Sequence, residues 1–188
     1  MKSLLCKGYK LEKQGGLSKI KSLFTFLCGC GIMKKKGVFE MDLVNEYLKN
    51  TRNKCYTYFK ITGNFNPDHI TEILNLTPEQ SWKIGDLRRN GTKYDFALWS
   101  IGRCEEYDVE VENQMRKTIS PLQDKISLLN KIKEVNEVNY YLVIVPTIYV
   151  GDINPCLAPP LDVIDFCHAT RTEIDIDMYI YDSQDDDE

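Results

Sequence analysis

The stretch YTYFKITGNFNPDHITEIL, residues 56–74, carries the local signals that decide the fold. Tyr56 to Thr62 alternates aromatic or β-branched residues along its length and ends at Gly63, a pattern typical of a strand. Asn66 and Pro67 then favour a helix start, because Asn caps free backbone N–H groups and Pro suits the first helical turn. The stretch therefore predicts a strand followed directly by a helix.

Further along the chain, the same two periodicities recur. Residues 94–101, 140–150 and 173–181 have the composition or alternation of strands, and Pro146 predicts a bulge or an edge position within the second of them. The last strand is expected to point its apolar residues inward, namely Ile174, Ile176, Met178 and Ile180, and Asp175, Asp177, Tyr179 and Tyr181 outward. Helical patterns occupy the intervening stretches.

This order of elements predicts an α+β fold with a mostly antiparallel sheet and helices packed on one face. Its two tandem βαβ-like units follow the ferredoxin-like plan. Since helices cover only one side, the other face of the sheet is expected to stay available for contact. We expect a single domain over residues 38–181, preceded by a basic extension, residues 1–37, and followed by an acidic tail, residues 182–188.

The charges are unevenly distributed. Residues 1–37 carry nine lysines and one acid, whereas residues 38–188 carry 15 basic and 27 acidic residues, a net of −12. A body of this sign repels nucleic acid and anionic membranes and attracts a basic protein. The apolar run at residues 22–33 is also too short to span a bilayer. The extension is interpreted as a mobile basic arm, a short amphipathic helix or a mis-assigned start, and an export or lipidation signal is a further alternative.

Cysteine and histidine usage argues against metal and redox sites. The seven cysteines form no Cys-x-x-Cys pair, which predicts reduced thiols in a cytoplasmic protein, with neither a metal nor a cofactor. His69 and His168 are the only histidines, and no nucleophile stands at motif spacing from either. The phosphate-binding, dinucleotide-binding and serine-hydrolase motifs are absent, so we lean towards a non-catalytic protein.

One cluster has the composition of a recognition surface, because aromatic and arginine side chains supply most binding energy at interfaces. Its members are Trp82, Lys83, Gly85, Asp86, Arg88 and Arg89, with Trp99 and Arg103 from the next strand. A second interpretation is that both tryptophans are core residues and that Asp86 only holds a turn. A separate acidic surface is expected from Asp175, Asp177, Asp185, Asp186 and Asp187.

Several spaced stretches resemble, in order, those of the bacterial family known as domain of unknown function 4279. They are YFKITG at 58–63, NPDHITEIL at 66–74, SWKIGD at 81–86, the strand around Trp99 and EIDIDMY at 173–179. The resemblance covers about residues 55–181. It implies a bacterial or phage-borne cytoplasmic protein and supplies no established activity. Members of the family usually lack a leader such as residues 1–37.

Two functional hypotheses follow from these observations. In the first, the protein is an acidic protein-binding module, such as an immunity protein or inhibitor that masks a basic partner. In the second, the loop from Trp82 to Arg89 binds a small anionic or aromatic ligand. The acidic body favours the first hypothesis.

Overall fold

A computed structural model of the chain describes residues 50–105 and 111–182. The extension at 1–37 and the acids Asp185, Asp186 and Asp187 lie outside these residues. In chain order the elements are β1 (Lys54–Asn64), α1 (Pro67–Leu74), β2 (Gln80–Trp82), β3 (Ala97–Cys104), α2 (Glu112–Ile119), a 3-10 helix (Ser120–Lys125), α3 (Ile126–Val135), β4 (Glu137–Tyr149), α4 (Leu161–Thr170), β5 (Thr172–Ile176) and β6 (Tyr179–Tyr181).

The strand and helix predicted from residues 56–74 are confirmed as β1 and α1. The side chain of Asn66 accepts a hydrogen bond from the backbone N–H of Asp68 at 3.1 Å, and Pro67 occupies the first turn. The helix ends at Leu74 and is capped by Asn75, which adopts a left-handed conformation with φ 51°. Local sequence therefore sets both ends of this helix.

The strands form one mixed sheet in the order β2-β3-β1-β4-β5, and β6 also pairs with β4. The α+β class is confirmed, and in the first half of the chain the βαβ-like unit is split by an inserted strand. There β1 and β3 are adjacent and antiparallel, and β1 is also antiparallel to β4. Since β2 is also antiparallel to β3, β1 and β2 are parallel with β3 between them, whereas the parallel strands β4 and β5 of the second unit are adjacent. The sheet thus has β1 near its middle.

The helices pack on one face of the sheet, as predicted. That inner face presents Phe59 and Ile61 from β1 and Leu142 from β4, all fully buried. They share a core cluster with Ile70 of α1 and Met115 of α2. Because successive side chains of a strand point to opposite faces, the alternate positions of β1 and β4 lie on the opposite side of the sheet.

Pro146 does not place β4 at an edge or shift its pairing with β1, contrary to expectation. The pairing runs in register past Cys55, which lies opposite Pro146. The interruption falls on the other side of β4. The N–H of Asp177 donates to the carbonyl of Ile144 at 3.0 Å, and the next rung would need the N–H that Pro146 lacks. The parallel pairing is therefore divided between β5 and β6.

The last strand was expected to bury its apolar residues in the core, and this prediction is wrong for Ile174, Ile176, Met178 and Ile180. These side chains are 37%, 46%, 44% and 65% exposed, respectively. Their alternation puts Ile174 and Ile176 beside Leu142 and Ile144, on the side of the helices, but the core cluster does not include them. Among the residues that the structure describes, the helices thus leave this edge of the sheet uncovered.

Stability is expected to fall at alkaline pH because two buried thiols resist ionisation. Burial raises the pKa of Cys55 from 9.0 to about 12 and that of Cys167 from 9.0 to about 11. An unfolded thiol loses its proton at lower pH than these folded ones. The free energy of unfolding should therefore decrease from about pH 9 upward, by about 1.4 kcal/mol per pH unit for each thiol.

Urea unfolding measured between about pH 8 and pH 11 tests this expectation. The variant Cys55→Ala removes one of the two groups, so its free energy of unfolding should decrease less steeply with pH than that of the parent chain. Equal slopes for the two proteins would contradict the assignment of the alkaline loss to Cys55.

Candidate functional site

Among the described residues, six tyrosines lie on the sheet face opposite the helices. The pairing of β1 with β4 puts Tyr58 opposite Val143, and that of β4 with β6 puts Tyr181 beside Tyr149. Paired side chains share a face and alternate positions follow them. We call this surface the tyrosine face. Its tyrosines are Tyr56 and Tyr58 of β1, Tyr141 and Tyr149 of β4, and Tyr179 and Tyr181 of β6.

A β-bulge brings Arg103 to the tyrosine face. Without it, the alternation of β3 would turn Arg103 inward together with Trp99 and Ile101. The pairing with β1 shifts between Thr57 and Phe59, so that β3 contains an additional residue at this point. Gly102 has φ +75° at the bulge. The guanidinium of Arg103 consequently lies over the ring of Tyr56, 3.9 Å from its centroid.

Two other cations lie against tyrosine rings. The ammonium of Lys60 is 4.9 Å from the ring centroid of Tyr141 and 3.3 Å from a carboxylate oxygen of Asp175. The guanidinium of Arg52 is 4.5 Å from the ring centroid of Tyr149, which in turn stacks on Tyr181 with centroids 5.5 Å apart. These contacts link cations to tyrosine rings on three strands of this face.

One side of the tyrosine face, at β5 and the residue after it, is acidic, and its acids are Glu173, Asp175 and Asp177. Burial raises the pKa of the Tyr58 hydroxyl, and the negative charges of Asp175 and Asp177 act in the same direction. Tyr179 donates its hydroxyl proton to Asp177 at 3.0 Å, which raises the pKa of this tyrosine too. Tyr179 is thus a neutral hydrogen-bond donor beside the carboxylate of Asp177. Of the predicted acidic surface, the structure brings Asp175 and Asp177 to this face.

The segment from Trp82 to Phe96, which connects β2 to β3, is largely exposed, and we call it the arm. The rings of Trp82 and Tyr94 stack with centroids 4.2 Å apart, and the guanidinium of Arg88 lies 4.7 Å from the Tyr94 centroid. Arg88 also pairs with Asp95 at 3.1 Å. The indole N–H of Trp82 donates to the carbonyl of Phe96 at 3.1 Å. The arm is therefore held by its own side chains.

The predicted recognition cluster is divided between three places. Trp99 is fully buried in the core, where its indole N–H donates to the hydroxyl of Thr71 at 3.0 Å, so its inclusion in an exposed cluster is corrected. Arg103 belongs to the tyrosine face. The other members remain together on the arm, and they are Trp82, Lys83, Gly85, Asp86, Arg88 and Arg89.

Within the arm, two predicted site residues hold the turn. The carboxylate of Asp86 accepts the backbone N–H of Lys83 at 2.8 Å, and the N–H of Gly85 donates to the carbonyl of Tyr94 at 2.8 Å. The side chain of Lys83 pairs with Asp68 at the start of α1. Asp86 and Gly85 therefore shape the arm, as the second interpretation of this cluster proposed for Asp86.

A pocket of about 200 Å³, open to solvent, lies between α3 and the end of α4. Asn130, Lys133, Glu134, Ala169 and Arg171 line it. The ammonium of Lys133 donates to the carbonyl of Arg171 at 2.6 Å, at the end of α4. Burial and the charge of Arg171 lower the pKa of Lys133. This lysine thus serves to cap a helix end.

Most of the tyrosine face was absent from the predicted site residues. The signal was present in each strand separately, since Tyr56 and Tyr58, like Tyr179 and Tyr181, stand two positions apart and must share a face. Placing these pairs on one common face requires the strand order and the register of the sheet, and neither can be read from the sequence of a single strand. Tyr94 was missed because its partner Trp82 lies across the arm.

The described residues include no group of three His, Cys, Asp or Glu side chains placed to hold a metal ion. None of the described helices is long and apolar enough to cross a membrane. The fold and site define an α+β protein that displays an aromatic and charged sheet face. The family model described as Domain of unknown function (DUF4279) matches residues 53–181, and the chain belongs to this family. No curated protein and no solved structure matches the chain.

Proposed function

We propose that this protein is a non-catalytic, acidic protein-binding module of a bacterial cytoplasm, of the immunity or inhibitor kind, that masks a basic partner. The observation that carries the proposal is the tyrosine face with its acidic side. Tyrosine combines a large rigid contact area with a polar hydroxyl group, which is why it is enriched at protein interfaces. A basic partner would meet Glu173, Asp175 and Asp177 together with the exposed rings of Tyr179 and Tyr181.

The arrangement of charges on this face supports binding more than catalysis. Lys60 is paired with Asp175, Arg103 with Glu105 at 2.6 Å, and Tyr179 with Asp177. Side chains that satisfy one another form a rigid surface, whereas an acid–base catalyst needs a group poised to exchange its proton with a substrate. Rigid aromatic and charged side chains also lose little entropy when a partner binds.

The distribution of charge along the chain agrees with this assignment. The described residues hold 14 Lys and Arg against 17 Asp and Glu, a net of −3. Within them, the segment from Thr172 to Tyr181 contributes Glu173, Asp175 and Asp177 and no basic residue. The sequence continues into four more acids at 185–188. Acidic residues are therefore concentrated in the sequence after Thr172, the segment that also contains Tyr179 and Tyr181.

Capture experiments with the immobilised full chain test this function. Basic proteins should be retained at low salt from a lysate of the organism that encodes the chain, and about tenfold less at roughly 0.5 M salt. The triple variant Glu173→Gln, Asp175→Asn, Asp177→Asn should show a similar loss. A matched variant, Glu72→Gln, Glu134→Gln, Asp165→Asn, removes the same charge from the helices and should retain full capture.

Two results would overturn the proposal. One is capture that is indifferent to salt, and the other is an equal loss in the two triple variants. The alternative, a small-ligand site on the Trp82–Arg89 loop, has less support, because Trp82 is stacked on Tyr94 and Asp86 is used within the turn. A thermal shift caused by a metabolite, and lost in Trp82→Ala, would favour that alternative.

A further inference from the structure

The strands β5 and β6 form one edge of the described sheet. Within residues 50–105 and 111–182, β4 is the strand to which each of them pairs. The outer side of such a strand presents backbone N–H and C=O groups that another chain can use. Soluble proteins commonly protect such edges with charge or with a covering element, so an accessible edge with apolar side chains needs an explanation.

The backbone of β5 shows which groups are available. The N–H of Asp177 points to β4, because it donates to the carbonyl of Ile144 at 3.0 Å. Along a strand, the N–H and C=O groups of successive residues point alternately to the two sides. Ile174 and Ile176 stand at the other positions of this alternation, so their N–H and C=O groups point away from the sheet.

The side chains of the same residues are accessible. Ile174 is 37% exposed and Ile176 is 46% exposed, and both lie on the helical side of the strand. The apolar row continues with Met178 and Ile180. Outward backbone groups and exposed apolar side chains therefore coincide at the same positions, as they do where a sheet accepts an additional strand.

The opposite side of this edge is acidic. Glu173 and Asp175 lie on the tyrosine face, next to Tyr141 and Val143 of β4. Two copies of the chain that paired through β5 would bring these acids together, which disfavours self-association. A partner strand with basic residues at the corresponding positions would instead be attracted.

We propose that the β5–β6 edge binds an extended segment of a basic protein as an additional strand. Apolar side chains of that segment would pack beside Ile174, Ile176 and Met178, and its lysines or arginines would face Glu173 and Asp175. Backbone hydrogen bonds to Ile174 and Ile176 supply affinity, and the alternation of apolar and basic residues supplies specificity. This inference rests on the proposed function and names the way in which the partner is bound.

The test uses the full chain and a labelled synthetic peptide of about ten residues in which valine and lysine alternate, followed by fluorescence anisotropy. A control peptide of the same composition groups the valines and the lysines in two blocks. The alternating peptide should bind about tenfold more tightly than the block peptide. Equal affinities, or no binding of the alternating peptide, would overturn the proposal.

Two methylated peptides test the backbone contact. One carries N-methyl groups on the valines and the other on the lysines, so each blocks one edge of the extended peptide. An added strand uses only one of its edges for β5. One methylated peptide should therefore lose binding and the other should keep it. Binding that is kept by both, or lost by both, would overturn strand addition.

The protein variants Ile176→Pro and Ile176→Thr distinguish the contribution of the backbone N–H to peptide binding from that of the side chain. Proline removes an outward N–H and is tolerated at sheet edges, whereas threonine keeps the N–H and the branched shape. Ile176→Pro should abolish peptide binding, and Ile176→Thr should weaken it by less than about tenfold. Equal binding by the proline variant and the parent chain would overturn the proposal. Thermal unfolding checks that both variants are folded.

Further measurements distinguish this inference from the proposed function. If Ile176→Pro still captures the basic partner from lysate in a salt-dependent way, the proposed function stands and the edge is not its binding site. If light scattering shows that the chain is a dimer and that Ile176→Pro makes it monomeric, the edge binds a second copy and the proposal is wrong.

Discussion

Replacing Trp99 by alanine is expected to lower the free energy of unfolding by about 3–5 kcal/mol, the cost of emptying a large aromatic site in a core. The side chain is fully buried in the core cluster with Ile70 and Leu74 of α1. Its indole N–H also bonds Thr71, so the substitution removes a contact between β3 and α1. Urea denaturation monitored by circular dichroism measures the change.

Trp82→Ala is the matched comparison for this prediction. Trp82 stacks on Tyr94 in the exposed arm, and an aromatic pair of this kind contributes about 0.5–1.5 kcal/mol. We therefore expect a loss of about 1 kcal/mol from this variant. If the two substitutions proved equally destabilising, the division of the two tryptophans between core and arm would be wrong.

Gly102→Ala is expected to destabilise the protein by about 3 kcal/mol for two reasons. At φ +75° an alanine is strained, and its Cβ would lie 2.5 Å from the carbonyl oxygen of Thr118 on α2. That carbonyl belongs to backbone and cannot rotate away. The helix or the bulge must therefore move, and a movement of the bulge would also displace Arg103 from Tyr56.

The variant Gly85→Ala distinguishes the cost of the backbone conformation from the cost of the steric clash. Gly85 has φ +88°, and no atom of the described residues lies within 4 Å of the position that its Cβ would take. It should therefore show only the conformational cost, about 1–2 kcal/mol. Thermal or urea unfolding of both variants gives the comparison. A smaller loss for Gly102→Ala than for Gly85→Ala would contradict the close packing of α2 on the bulge.

The parts of the fold that could be predicted from the sequence are those that depend on residues close together in the chain. Asn66 and Pro67 specify the start of α1 through contacts within one turn, and the alternation in β1 follows from its own side chains. The outward direction of Asp175 was also predicted correctly from alternation. None of these inferences required knowledge of which strand lies beside which.

The errors share a different cause, because each depends on residues distant in sequence. Ile176 was expected to be buried, but burial requires a helix above that edge, and no local signal states how far a helical layer extends. Trp99 and Trp82 have similar surroundings in sequence, yet only Trp99 faces α1. The side on which Arg103 lies depends on a bulge whose glycine packs against Thr118.

The position of β1 has a consequence for biosynthesis. Lys60 of β1 pairs with Ser100 on one side and with Tyr141 on the other, so the first described strand lies between two that are made much later. On the ribosome, the nascent chain presents Phe59 and Ile61 without either neighbour until β3 and then β4 leave the exit tunnel. Such non-local topologies fold slowly and leave strands open to misassembly. We therefore expect β1 to remain unpaired during synthesis until β3 and β4 have emerged, which leaves it open to misassembly in that interval.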